Sequence, residues 1–319
     1  MKRTWLLLTG LLLLAATAGR AQFSYSTNGT TITLTSYSGQ GGAVTISNFV
    51  TAIAGSAFRN CTNVTSVTIP DSVTSLGDYV FFGCSSLTNA TTGNGADSIG
   101  NYEFFDCGAL VHVTIGNSVS SIGELAFYNC TKLAGVTFPA SLQTVGLYAF
   151  ELCASLNRLT IPGSLNGIGD EAFSGSGLTN LTILSGVTNL EDYAFGGCDE
   201  LRSVYFQGNA PDTDPTVFPD ATNATAYYLP GTTGWSTWGG TLPTVLWNPQ
   251  IQAPGISNNQ FVFNITGTSN IPIVVKACTN PGAAGWISLA SVTLTNGTYS
   301  FSDPAWTAYS RRFYCISSP

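Results

Sequence analysis

The chain has 319 residues, with 17 acidic residues against 10 lysines and arginines, a net charge of −7, and one histidine. That balance argues against nucleic acid and anionic membrane surfaces as partners, and a lone histidine weakens any hydrolase triad or histidine-based metal centre. Only 8% of residues are charged, which suits an extracellular protein better than a cytosolic enzyme.

Residues 1–21 read as a secretory signal peptide. Lys2 and Arg3 form a basic start, residues 6–16 an apolar core, and Gly19 and Ala21 the small residues flanking a cleavage before Gln22. The core is too short for a membrane-spanning helix, and no later segment approaches 18 apolar residues. Loss of Lys2, Arg3 and Arg20 leaves 10 − 3 = 7 basic residues against 17 acidic, a net charge of −10. The leader contains no cysteine, so lipid attachment at a processed N-terminal cysteine is not expected.

After a polar, β-rich stretch at 23–34, read as an N-terminal cap, Val44, Ile46, Val50 and Ile53 form a partial entry coil. Cys61, Cys84, Cys107, Cys130 and Cys153 then recur every 23 residues. A fixed period of this length marks a solenoid. Five full coils cover 57–171. A sixth at 172–193 is one residue shorter and has Ser176 in the cysteine column; a seventh begins at Ala194 and regains Cys198.

The columns carry physical roles. In Val67-Thr68-Ile69 apolar and polar residues alternate, which gives a short strand with Val67 and Ile69 inward and Ser66 and Thr68 outward. Pro70, Pro139 and Pro162, with Ser72, Ser141 and Ser164, turn the chain off that strand. An Ile-Gly step follows (Ile99-Gly100, Ile122-Gly123, Ile168-Gly169), its glycine read as permitting a tight bend. Asp78, Asn101, Glu124, Asp170 and Asp192 suit the start of a short helical turn. The next column stacks Phe58, Phe81, Phe104, Phe127, Phe150, Phe173 and Phe195. Open solenoid ends need covering, and 208–247, with Trp235 and Trp238 between two apolar strands, reads as the exit cap.

The Pro- and Gly-containing stretch 249–255 reads as a linker. It closes a solenoid at 22–248 and precedes a small β domain at 256–319. Strands are expected at 260–265, 271–277, 286–294, 299–302 and 312–317, with Asn296-Gly297 as a hairpin turn. The fold class is therefore mainly β with short helical turns: a repeat solenoid followed by a small β-sandwich-like domain.

The motif L-x-x-V-x-I-P-x-S-V-x-x-I-G-x-x-A-F-x-x-C, carried by the coils at 57–206, resembles the cysteine-marked leucine-rich repeats of bacterial surface proteins, the BspA-like class. The resemblance implies export, a curved or flattened solenoid and a role in adhesion or protein binding. It carries no catalytic residues over.

Candidate sites follow. The cysteine column reads as a buried ladder of thiols rather than a redox or metal array, because no histidine accompanies it and one member is a serine. Cys278 and Cys315 lie on two expected strands, and whether they pair is open. His112 lies in the outward column with no acid or nucleophile beside it. Asp212, Asp214 and Asp220 could hold calcium but read as a solvated turn. The outward strand face is more informative: Thr45, Thr68, Thr91, Thr114, Thr137, Thr160 and Thr182 run into Tyr205, beside the variable Ser66, Asn89, His112, Gly135, Arg158, Asn180 and Ser203. From this face we take Ser66, Asn89, His112, Arg158, Asn180, Arg202 and Tyr205 as candidate binding residues. The expected function is a secreted or cell-surface, non-enzymatic binding or adhesion protein whose partner is an extracellular protein or glycan, with no cofactor and no metal. Two alternatives stand: a structural extracellular protein without a specific ligand, or a carbohydrate-binding or enzymatic site in 256–319, where Trp286 and Trp306 could stack on sugar rings.

Overall fold

Each 23-residue block makes one coil, and its apolar alternation builds two parallel sheets. The structure, a computed structural model, describes residues 22–213, 215–282 and 285–319; the stretch read as a signal peptide, 1–21, and Asp214 of the acidic loop lie outside them. In a front sheet, Gly42–Thr45, Val64–Thr68, Asn89–Thr91 and His112–Thr114 pair in parallel with like residues opposite, as in Ser66↔Asn89 and Asn89↔His112. A second line of two-residue strands runs through Ser98–Ile99, Ser121–Ile122, Thr144–Val145 and Gly167–Ile168. The hairpin Phe23–Asn28 and Thr31–Tyr37 closes the N-terminal end by pairing with Ala52–Ile53.

Between the sheets the phenylalanines stack as one column. Neighbouring rings from Phe58 to Phe195 lie 4.8–5.4 Å apart, and Phe81, Phe104, Phe127, Phe150 and Phe173 are fully buried. That spacing is about one strand separation, so each ring is held by the coil before and the coil after. The cysteines form a second buried column, and their thiols act as donors. Cys107 Sγ donates to the Phe81 carbonyl at 3.2 Å, Cys130 to Phe104 at 3.2 Å and Cys153 to Phe127 at 3.3 Å. Each of these carbonyls also accepts the backbone N–H of the cysteine in its own coil. The column thus calls for a small side chain with one weak donor. Ser176 meets it differently, sharing a 3.3 Å hydrogen bond with Cys198.

Several expectations are corrected. The glycines of the Ile-Gly step have ordinary negative φ; a Cβ on Gly169 would stand 2.7 Å from the carbonyl carbon of Gly146 one coil earlier. They are set by close stacking of coils rather than by a bend. The acidic column starts no helix. Every turn segment there contains left-handed residues, with φ between 53° and 63° at Tyr79, Tyr102, Leu125, Tyr148, Glu171 and Tyr193, and a right-handed helix cannot run through them. The side chains cap the next coil instead: Asp78 Oδ1 accepts from Asn101 N, and Asn101 Oδ1 from Glu124 N, both at 2.9 Å.

The stretch 208–247 is more than a cap. Its strands Thr225–Tyr228 and Thr244–Leu246 continue the front sheet in parallel beyond Arg158–Ile161, Asn180–Ile183 and Ser203–Phe206, and Phe218 extends the ring column 5.1 Å beyond Phe195. Trp235 and Trp238 do cover the last coils, 4.9 and 5.4 Å from Phe206. The stretch read as a linker is a strand, Gln250–Ser257, paired antiparallel with Gln260–Thr266; its register shifts between Gln252 and Gly255, where Pro254 cannot donate to a ladder.

The C-terminal strands form two three-stranded antiparallel sheets that enclose Phe263, Ile265, Ile273, Val275 and Phe301. The Asn296-Gly297 turn exists, with Gly297 at φ 73°, but it is not a hairpin. Ile287–Thr293 pairs with Pro272–Cys278, whereas Thr298–Asp303 pairs with Gln260–Thr266 in the other sheet. Cys278 and Cys315 are free thiols on adjacent strands; Cys315 stands opposite Lys276, and Cys278 opposite Phe313. Such a diagonal offset of about 7–8 Å exceeds the usual Cα separation of a disulfide.

Candidate binding face

Strand pairing brings the sequence-predicted residues into rows. Ser66, Asn89, His112 and Gly135 are successive partners in one half of the front sheet. Arg158, Asn180 and Ser203 are successive partners in the other. Asn89, His112 and Arg158 are exposed, and Ser66 and Asn180 are half-buried. Arg202 is also exposed but is held by Glu200 at 2.9 Å.

Tyr205 departs from expectation: it is only 5% exposed. Its ring stacks on Tyr227 at 5.1 Å, and both pack into the same apolar cluster as Phe263, Ile273 and Phe301 of the C-terminal sandwich. Burial pushes the pKa of its phenol upward, partly offset by the Ser203 side chain, and the hydroxyl makes no well-formed hydrogen bond. The reason lies in the column itself. Its outward residue is threonine as far as Thr182 and then becomes Tyr205, Tyr227 and Val245. The apolar end of the face is where the sandwich docks, with Trp247 Nε1 donating to the Pro272 carbonyl at 2.9 Å.

The front sheet is interrupted at the fourth coil. His112–Thr114 continues only as a single bridge from His112 to Gly135, and the next front strand is Arg158–Ile161. Gly135 weakens the strand, and Phe138 puts a large ring into the column of Ile69, Thr92, Ile115, Ile161 and Ile183, where it meets Phe150 edge-on at 5.6 Å. Depressions open on both sides of the break and share Thr137, Phe138 and Ala140. One, of about 400 Å³, brings Arg158, Asn180, Thr160 and Thr182 together over Phe138, Pro162 and Leu184. The other, of about 420 Å³, adds Val113, Thr114 and Asn117. Of the predicted residues, Arg158 and Asn180 share a depression. Sequence reasoning placed Thr137 on the outward face and missed Phe138; the signal was Gly135 followed by an aromatic ring three positions on.

The other candidates separate. No group of three or more His, Cys, Asp or Glu that could hold a metal occurs among the described residues. Asp220 instead accepts from Gly197 N at 2.9 Å, and Asp212 is bridged to Asn189. Burial pushes the Cys130 thiol up and that of Cys153 to about 12, so neither is activated for nucleophilic chemistry. Trp306 borders a depression of about 460 Å³ with Ile256, Phe261, Tyr309 and Tyr314, and Trp286 does not border it.

Two stacked parallel sheets, buried phenylalanine and cysteine columns and an open polar sheet face define a leucine-rich repeat solenoid. The chain belongs to the BspA-type leucine-rich repeat family, whose model, "BspA type Leucine rich repeat region", matches in six copies at residues 30–157 and 121–233, more than half the chain. Among solved structures it is similar to a T. pallidum leucine-rich repeat protein (24% identity, TM-score 0.46, 70% of this chain and 97% of that one). It is also similar to a leucine-rich repeat protein from Bacteroides ovatus (21%, 0.44, 70% and 76%) and to a leucine-rich cell surface protein from Faecalibacterium prausnitzii (18%, 0.28, 70% and 97%). No curated protein matches.

Proposed function

We propose that this is a secreted or cell-surface binding protein without catalytic activity, and that it engages an extracellular protein or glycan through the front sheet of its solenoid. The carrying observation is the change along one outward column: threonines stay uncovered from Thr45 to Thr160, and the column turns apolar where the sandwich covers it. A face kept polar, regular and open beside a face that is closed is the expected arrangement for recognition on a rigid scaffold, where little ordering cost accompanies binding. Ser66, Asn89, His112, Arg158 and Asn180 supply the variable contacts; Arg202 sits at the margin. Export follows from the leader at 1–21, and no helix among the described residues is long and apolar enough to cross a membrane. The buried thiols and the absence of paired catalytic groups around His112 support a non-enzymatic role.

The test is binding of the labelled mature chain to the surfaces of neighbouring cells. Joint replacement of Ser66, Asn89 and His112 by alanine should weaken it, while joint replacement of Asp78, Glu124 and Asp170 on the turn side should not. Loss with the second set alone would put recognition on the wrong side of the solenoid.

A further inference from the structure

We infer that the groove centred on Arg158 recognises an acidic polysaccharide, a chain of sugar rings carrying carboxylate or sulfate groups. The inference rests on the front-face reading and names its ligand class. Charge is the first ground. The chain has 17 acidic residues, yet the front strands Gly42–Thr45, Val64–Thr68, Asn89–Thr91, His112–Thr114, Arg158–Ile161 and Asn180–Ile183 carry none. The acids are gathered on the turns, as at Asp78, Glu124 and Asp170. The front face carries His112 and Arg158, and Lys132 is exposed on a turn of the broken coil. Arg202 and Arg312 are held in ion pairs with Glu200 and Asp303; Arg158 is in neither pair. It therefore offers a free, planar donor fork suited to carboxylate or sulfate.

The lining is the second ground. Thr137, Thr160 and Thr182 give hydroxyls that both donate and accept, and Asn180 adds an amide. Sugar hydroxyls need partners of that kind. Phe138, Pro162 and Leu184 supply an apolar floor for the C–H face of a ring, and Pro319 of the C-terminal segment borders the same groove. The third ground is shape. The two depressions adjoin across Thr137 and Phe138 and together cross the coils from Val113 to Leu184, along the solenoid axis. The threonines repeat at about one strand spacing, a regular row for a regular polymer.

The experiment measures affinity of the mature chain for polygalacturonate, dextran sulfate and neutral dextran, at low and at physiological ionic strength. At least one acidic polymer should bind with affinity that falls as salt rises, and dextran should not; which acidic polymer binds distinguishes carboxylate from sulfate. Arg158→Ala should weaken binding about tenfold or more, the loss of one charge-assisted contact. Arg158→Lys should retain part of it, and Arg311→Ala, an exposed cation on the C-terminal sandwich, should change nothing. Binding to neither acidic polymer, equal binding to dextran, or equal losses from Arg158→Ala and Arg311→Ala would overturn the inference. If the cell-surface test still responds to the front-face set in that case, the broader reading stands and only the ligand class fails.

Discussion

Glu103 is the sharpest test of how the solenoid is held together. It sits in the column occupied by Ala57, Val80, Ala126, Ala149 and Ala172, is 0% exposed, and neither carboxyl oxygen makes a well-formed hydrogen bond. Burial, only partly offset by the Val80 backbone and reinforced by Asp78 and Cys84, raises its pKa well above the usual carboxylate range. A buried polar group without a partner costs about 1–3 kcal/mol. Val80 shows that valine fits the same column one coil earlier, so Glu103→Val should stabilise by about that amount even where the carboxyl is neutral. The folded-state pKa lies above the unfolded value of about 4.3. The group's stability is therefore fully present below that value and lost as pH rises toward the folded pKa, at about 1.4 kcal/mol per unit. The advantage of Glu103→Val over wild type should grow from pH 4 to pH 8. Glu103→Gln, similar in size and unable to ionise, should share the flattened pH profile and so separate ionisation from packing. Urea unfolding of the three proteins at both pH values reads the result. A variant less stable than wild type at both, or a gain identical at pH 4 and pH 8, would refute the reasoning.

Phe127→Ala, with rings at 5.1 and 4.8 Å on either side, should cost about 3–5 kcal/mol. Because coils are held only by their neighbours, it should split thermal unfolding into two transitions; an unchanged melting curve would contradict the ring column. Thiol labelling of the native protein should be slow at Cys84, Cys107, Cys130, Cys153 and Cys198, all fully buried, and fast after denaturation; rapid native labelling would place them at the surface. Tyr205→Phe removes a buried hydroxyl that makes no well-formed hydrogen bond and should be at least as stable as wild type, whereas Tyr205→Ala should loosen the sandwich from the solenoid and raise proteolysis at 248–257. Equal protection of all three proteins would mean that Tyr205 does not hold the interface.

The 23-residue period, the inward columns and the class of fold were legible because a solenoid repeats the same nearest-neighbour contacts. Cys61, Phe58 and Val67 each announce their environment by recurring, and recurrence survives in one dimension. The sequence also marked the outward face, since alternation along Val67-Thr68-Ile69 decides which side chains leave the core. It could not say what lies over that face. Tyr205 occupies the same column as Thr182 and reads there as an exposed aromatic; its burial depends on Phe263, Ile273 and Phe301, which approach from 58–96 residues further along with no period to announce them. The same holds for Asn296-Gly297, whose local turn chemistry is as expected but whose flanking strands are divided between two sheets by long-range pairing. The break at Gly135 and Phe138 lies between these cases. The two substitutions are visible in the sequence, but only the stacking of coils on either side turns them into a groove beside Arg158.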